Sequence, residues 1–148
     1  MQPATYLKYF TATKDLYSVC VEPVCRKYGL TRTELDILLF LSNNSQYDTA
    51  AEICGIRGLA KSHVSTSIRA LERAGFLEKY QLPGDRRSIH LRLLPSANAV
   101  AADGQAAQEQ FRDILCAGMT PEEQQALENS ITKALENANE FIGRTISC

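Results

Sequence analysis

Along most of the chain apolar residues recur every three or four positions, which is the period of a helix with one buried face. The pattern predicts helices over about 5–28, 32–42, 50–56, 60–74, 95–116 and 120–142. Between the fourth and fifth, the period changes to two. Ile89, Leu91 and Leu93 alternate with His90 and Arg92, so strands are expected over about 77–81 and 88–93, one face apolar and the other basic. Leu82-Pro83-Gly84-Asp85 starts the turn that joins them.

The helix ends carry their own marks. Thr31 with Glu34, Thr49 with Glu52, and Thr120 with Glu123 each fit a capping box, in which hydroxyl and carboxylate satisfy amides that the first turn leaves unpaired. Pro121 stands at the first helical position, where its missing N–H costs nothing. Gly29 and Gly75 precede Leu30 and Phe76, the expected left-handed stop. Pro23 falls inside the first helix and cannot bond the carbonyl of Val19, so a kink or break is expected there.

The first helix is rich in tyrosine and phenylalanine, and the last carries Leu127, Ile131, Leu135, Ala138 and Ile142 as one stripe. Two destinations suit these apolar faces: packing within the chain, or against a second copy of it. The chain's 148 residues suffice for a core without disulfides or metal. Its five cysteines, Cys20, Cys25, Cys54, Cys116 and Cys148, are odd in number and form no CxxC pair. No apolar run is long enough to cross a membrane, and the first ten residues lack a secretory pattern, so a cytoplasmic protein is expected.

A net charge of −1 looks unfavourable for nucleic acid, but the charge is unevenly spread. Residues 1–47 sum to +1, 48–94 to +3 and 95–148 to −5. The basic part is the middle, where the change of period also lies. A local basic patch matters more to DNA than the sum over the chain.

Within that part, Val64, Ile68 and Leu71 define an inner face. Lys61, Ser62, His63, Ser65, Thr66 and Arg69 lie on the other faces. A helix that enters the major groove needs this division. Short hydroxyls and an imidazole can reach base edges, while Lys61 and Arg69 suit phosphates. Polar helix faces are common, and the pattern alone is equally that of a solvated helix. The only histidines are His63 and His90; neither has a spacing suited to metal or to nucleophilic catalysis, and no phosphate-binding loop is present, so no enzyme and no cofactor is expected.

The segment Leu59-Ala60-Lys61-Ser62-His63-Val64-Ser65, continued by Leu71-Glu72-Arg73-Ala74-Gly75-Phe76-Leu77, resembles the recognition helix of the MarR family of transcription regulators and its exit into the wing. Asp85-Arg86-Arg87-Ser88, followed by Leu91 and Leu93, is similar to that family's Asp-x-Arg wing. Thr66 stands where the family often has arginine, and Ala60 where it usually has a capping residue.

The resemblance implies a mainly α fold with a small β-hairpin wing: a winged helix-turn-helix over 31–94, with 1–28 and 95–148 forming a helical dimerisation region of a single domain, 1–148. It implies a homodimer that binds double-stranded DNA. Ser62, His63, Ser65 and Thr66 would face bases, Arg87 would reach the minor groove, and Asp85 would hold the wing arginines Arg86 and Arg87 by a charge-assisted bond. It also implies repression relieved by a small aromatic ligand, or a redox response through a thiol such as Cys20 or Cys25. A winged helix that binds protein in place of DNA is the remaining alternative.

Overall fold

The computed structural model describes residues 2–143. Cys148, one of the five cysteines, lies outside the described residues. Six helices and one antiparallel hairpin follow in the order α1 (Pro3–Tyr28), α2 (Arg32–Asn43), α3 (Ala50–Arg57), α4 (Lys61–Arg73), β1 (Leu77–Tyr80), β2 (His90–Leu93), α5 (Ala97–Leu115) and α6 (Pro121–Phe141). Two compact units result, one up to Phe111 and one from Arg112 onward. None of the described helices is long and apolar enough to cross a membrane.

All three capping boxes form as the sequence predicts, at Thr31, Thr49 and Thr120. Gly29 ends α1 at φ 65°, and Gly75 follows α4 at φ 78°, a region that costs a side chain but not glycine. The Phe76 amide then bonds back to the Leu71 carbonyl at 3.0 Å, which closes the helix and aims the chain into β1.

In the first unit the inner faces of α2, α3 and α4 meet. Leu35, Leu38, Ile53, Val64, Ile68 and Leu71 are buried there, joined by Leu77 and Leu91 of the hairpin and by Val21, Val24 and Val100 from α1 and α5. Complete burial of a side chain such as Leu71 is worth roughly 1.5–3 kcal/mol, which is why the 64–68–71 spacing fixes how α4 docks. α5 approaches α2 closely at Gly104, where an added Cβ would lie 2.5 Å from a Leu39 methyl. Beside this contact runs a polar seam. Gln108 donates to the Tyr17 hydroxyl and accepts from Asn43, and Gln105 donates to Ser42 and Asn43.

Of the kink or break expected at Pro23, the break does not occur: the first helix continues to Tyr28. Val19, whose carbonyl loses its partner, is 71% exposed, so water can take the lost bond. The second strand begins at His90, not Ser88; within it Leu91 is buried and Arg92 exposed, as the alternation predicts, while Ile89 falls outside it. Ile89 is exposed and His90 half-buried, because Asp48 draws the imidazole inward and the residues before it belong to the wing turn.

Within the second unit, the α6 stripe stands in solvent. Ile131, Leu135 and Ile142 are all exposed. The first turns of α1 likewise expose Tyr6, Leu7 and Phe10.

Candidate nucleic-acid interface

Helix α4 presents the polar face that its sequence predicts. Lys61, Ser62, His63, Ser65, Thr66 and Arg69 are all exposed, while Val64, Ser67, Ile68 and Leu71 are buried. Arg73, four residues beyond Arg69 on the same face, extends the row and was not singled out by the sequence pattern. Its place at the end of the 62–66–69–73 progression was the available clue. Ala60 occupies the N-cap without a side-chain bond, so the first amides of α4 lack the cap that α2, α3 and α6 possess.

Across from α4 stands the wing. Asp85 organises its tip: one carboxylate oxygen accepts the backbone N–H groups of Arg87 at 3.0 Å and of Ser88 at 3.2 Å. These amides hold the Asp85 carboxyl below the usual carboxylate range. The expected bond between Asp85 and the arginine side chains is not what forms. The carboxylate holds the backbone of the turn, and the Arg86 and Arg87 side chains point outward, exposed. An open cleft of about 720 Å³ lies between wing and helices, with Lys61 and Ser65 of α4 on one side and Arg87 and Ser88 on the other; Thr49 and Cys54 contribute from the α3 side.

Charge pairing sharpens the picture. Residues 48–94 hold eight Lys and Arg and five Asp and Glu. Every one of those acids is engaged inside the fold. Glu72 pairs with Lys79, Glu78 with Arg92, Glu52 caps α3, Asp85 binds the wing turn, and Asp48 binds His90 and Tyr80. Arg57 pairs with Asp36 of α2. The five cations left, Lys61, Arg69, Arg73, Arg86 and Arg87, are exposed and have no ion pair among the described residues.

The base of the wing holds a group that the sequence did not point to. Asp48, in the α2–α3 connection, meets His90 Nδ1 at 2.7 Å with one carboxylate oxygen and accepts the Tyr80 hydroxyl at 2.6 Å with the other. Its own carbonyl accepts the Leu91 amide at 2.7 Å, and Thr49 bridges to His90. Burial tends to raise the Asp48 carboxyl, but the bonds from Tyr80 and His90 and the imidazole's charge hold it below its ordinary value.

Cys20 and Cys25, the thiols considered for redox chemistry, are both buried in the core-facing side of α1, each 5% exposed. Burial pushes the Cys25 thiol up, and Glu22 adds to the effect. This is the opposite of the lowered, accessible thiol that reacts readily.

The arrangement of three packed helices, an exposed polar helix and a basic hairpin has a close counterpart among known proteins. A family model described as MarR family matches residues 28–88. Over that segment the chain is similar to a MarR-family winged helix-turn-helix. Solved structures support the MarR fold over nearly the whole chain. A protein of Listeria monocytogenes, complexed with 26mer DNA, aligns at TM-score 0.80 and 17% identity, covering 97% of each chain. A MarR protein of Peptoclostridium difficile aligns at TM-score 0.81 and 18% identity, over 98% of this chain and 94% of that one. A MarR family transcriptional regulator of Silicibacter pomeroyi aligns at 0.75 and 21% identity, over 91% and 89%. No curated protein matches.

Proposed function

We propose that this MarR-like chain is a cytoplasmic, homodimeric transcription regulator that binds double-stranded DNA in a sequence-specific way. Helix α4 enters the major groove, with Ser62, His63, Ser65 and Thr66 toward base edges and Lys61, Arg69 and Arg73 toward phosphates. The wing lies along the backbone, and Arg87 reaches the minor groove, where arginine is favoured. The observation that carries the reading is the charge pairing: the acids of the winged lobe are consumed internally, and five exposed cations remain on the helix and wing. The Listeria relative complexed with DNA supports it by likeness of fold.

The test is selection of binding sites from random duplex DNA, followed by titration of the winner at several salt concentrations. Each phosphate contact adds roughly −0.9 to the slope of log affinity against log salt. The expected result is one enriched motif, a steep slope, and a shallower slope with much weaker binding for Arg86→Glu/Arg87→Glu. If no motif is enriched and the charge reversal changes nothing, the winged lobe binds protein and not DNA.

A second reading concerns control. A cavity of about 260 Å³ opens among α1, α2, α3 and α5, lined by Tyr17, Phe40, Asn43 and Gln108 and by the Asp36–Arg57 pair. Its size, just under the usual range for drug-sized ligands, suits a one-ring molecule with hydrogen-bonding substituents. We infer repression relieved by such a ligand, because its wall joins the α1 and α5 helices to the helix-turn-helix. Release of the selected duplex by a small aromatic acid or phenol, lost in Gln108→Leu, is the expected behaviour. An affinity indifferent to every member of such a panel would remove this reading.

A further inference from the structure

Among the described residues, Asp48 is the one outside the hairpin that bonds both of its strands, with side chain and backbone together. Its carboxylate takes Tyr80 of β1 and His90 of β2, its carbonyl takes the Leu91 amide, and its own N–H donates to Glu52 of α3 at 3.3 Å. Glu52 also caps α3 through Thr49. The wing and the first turn of α3 are therefore tied through Asp48, beside the Thr49–His90 bridge.

The surroundings make this tie rigid. The Tyr80 and His90 rings lie 5.3 Å apart, tilted by 32°, and the Arg92 guanidinium sits 4.3 Å above the Tyr80 ring while pairing with Glu78. The His90 side chain is 15% exposed, and its Nε2 is buried without a hydrogen-bond partner among the described residues. An unsatisfied buried nitrogen costs free energy, so the imidazole is kept in place by what its other nitrogen gains from Asp48. None of the three side chains is among the exposed groups of α4 or the wing tip.

Resting on the DNA-binding reading above, we propose that Asp48 is the positioning residue of the wing: through Tyr80 and His90 it fixes where Arg86 and Arg87 stand relative to α4, without itself touching DNA. A hairpin of two four-residue strands is marginal on its own; Leu77 and Leu91 seat its base in the core, and the bonds of Asp48 add the directional tie.

The experiment uses the full chain and the duplex obtained by selection. Tyr80→Phe removes one hydroxyl at the anchor and keeps the ring; Asp48→Asn removes the charge. Affinity is measured for each in the parent and in an Arg86→Ala/Arg87→Ala background, and the exchange rate of the Leu91 amide is followed without DNA. The expected result is faster Leu91 exchange and an affinity loss of about fivefold or more in the parent, the worth of one net hydrogen bond, shrinking to under about twofold once the arginines are gone. Equal losses in both backgrounds would overturn the proposal, because Asp48 would then act other than through the wing. Unchanged Leu91 exchange in both variants would overturn it as well, since no anchor would have been released. Should no duplex be selected at all, the DNA reading falls by itself, and the exchange data still decide whether Asp48 holds the wing.

Discussion

Single residues decide two features of this fold. Gly104 is the first. A methyl group there would lie 2.5 Å from the buried Leu39 side chain. Alanine gains about 1 kcal/mol in helix propensity over glycine, but overpacking a filled core costs typically 1–3 kcal/mol. Gly104→Ala is therefore expected to lower stability by about 1 kcal/mol in chemical denaturation. A gain would mean that Leu39 can swing aside freely. The cysteines are the second. Cys20 and Cys25 are buried, whereas Cys54 and Cys116 are partly open. A thiol reagent added to native protein should modify Cys54 and Cys116 first, leaving Cys20 and Cys25 until the chain opens. Prompt reaction of Cys25 in the folded protein would revive the redox alternative that its burial argues against.

At the scale of elements, α4 begins without a side-chain cap. Ala60 has extended backbone angles, φ −66° and ψ 134°, which serine adopts readily as an N-cap. Ala60→Ser should raise stability by roughly 0.5–2 kcal/mol, seen as a higher midpoint in urea. No gain would mean that the first amides of α4 are already satisfied by water at no cost. The wing anchor has a pH signature of its own. The Asp48 carboxyl is held below its ordinary value, and so are Asp103, by Lys27 and Tyr28, and Asp85, by backbone amides. Carboxylates with depressed folded values add stability above the unfolded value of about 3.9 and lose it as pH falls through the folded one. The protein should thus keep its stability from neutral pH down to about 4 and lose it below, and Asp48→Asn should flatten that acid limb. An unchanged acid limb in Asp48→Asn would show that the anchor carries none of it. Much of this level was readable beforehand. Capping boxes, the α4 stripe and the hairpin are local patterns, and local patterns survive translation into structure. The Asp48–Tyr80–His90 group was not readable, because its members are far apart in sequence and only the folded wing brings them together. His90 shares the face of Arg92, as alternation predicts, but alternation could not show that Asp48 and Tyr80 cover that face at His90. Asp85 was found correctly as a wing residue, yet its partners are amides of the next turn, a short-range choice that a charge-pair argument overlooks.

At the scale of the whole molecule, the question is what covers the apolar faces of the terminal helices. Tyr6, Leu7 and Phe10 of α1 and Ile131, Leu135 and Ile142 of the last stripe are exposed. Monomeric proteins tolerate scattered apolar side chains, but not rows of them along whole helices. A second copy supplies identical rows, and a two-fold axis is the simplest closed way to pair them. The expectation is a dimer in sedimentation experiments, and a monomer or soluble aggregate for Ile131→Glu/Leu135→Glu, whose positions lie outside the winged lobe. A dimer would also set how the lobe is used. Two copies of α4 related by a two-fold axis would read inverted half-sites, and reaching successive major grooves on one side of the duplex would place them about one helical turn, ~10 bp, apart. The selected duplex should therefore be pseudo-palindromic, and insertion of about five base pairs between its halves should abolish binding by turning one half-site to the far side. The Ile131→Glu/Leu135→Glu variant should bind half-sites only weakly and be blind to the insertion. If it bound the full site as the parent does, the winged lobe would act alone, and the exposed rows on α1 and α6 would serve some partner other than a second copy.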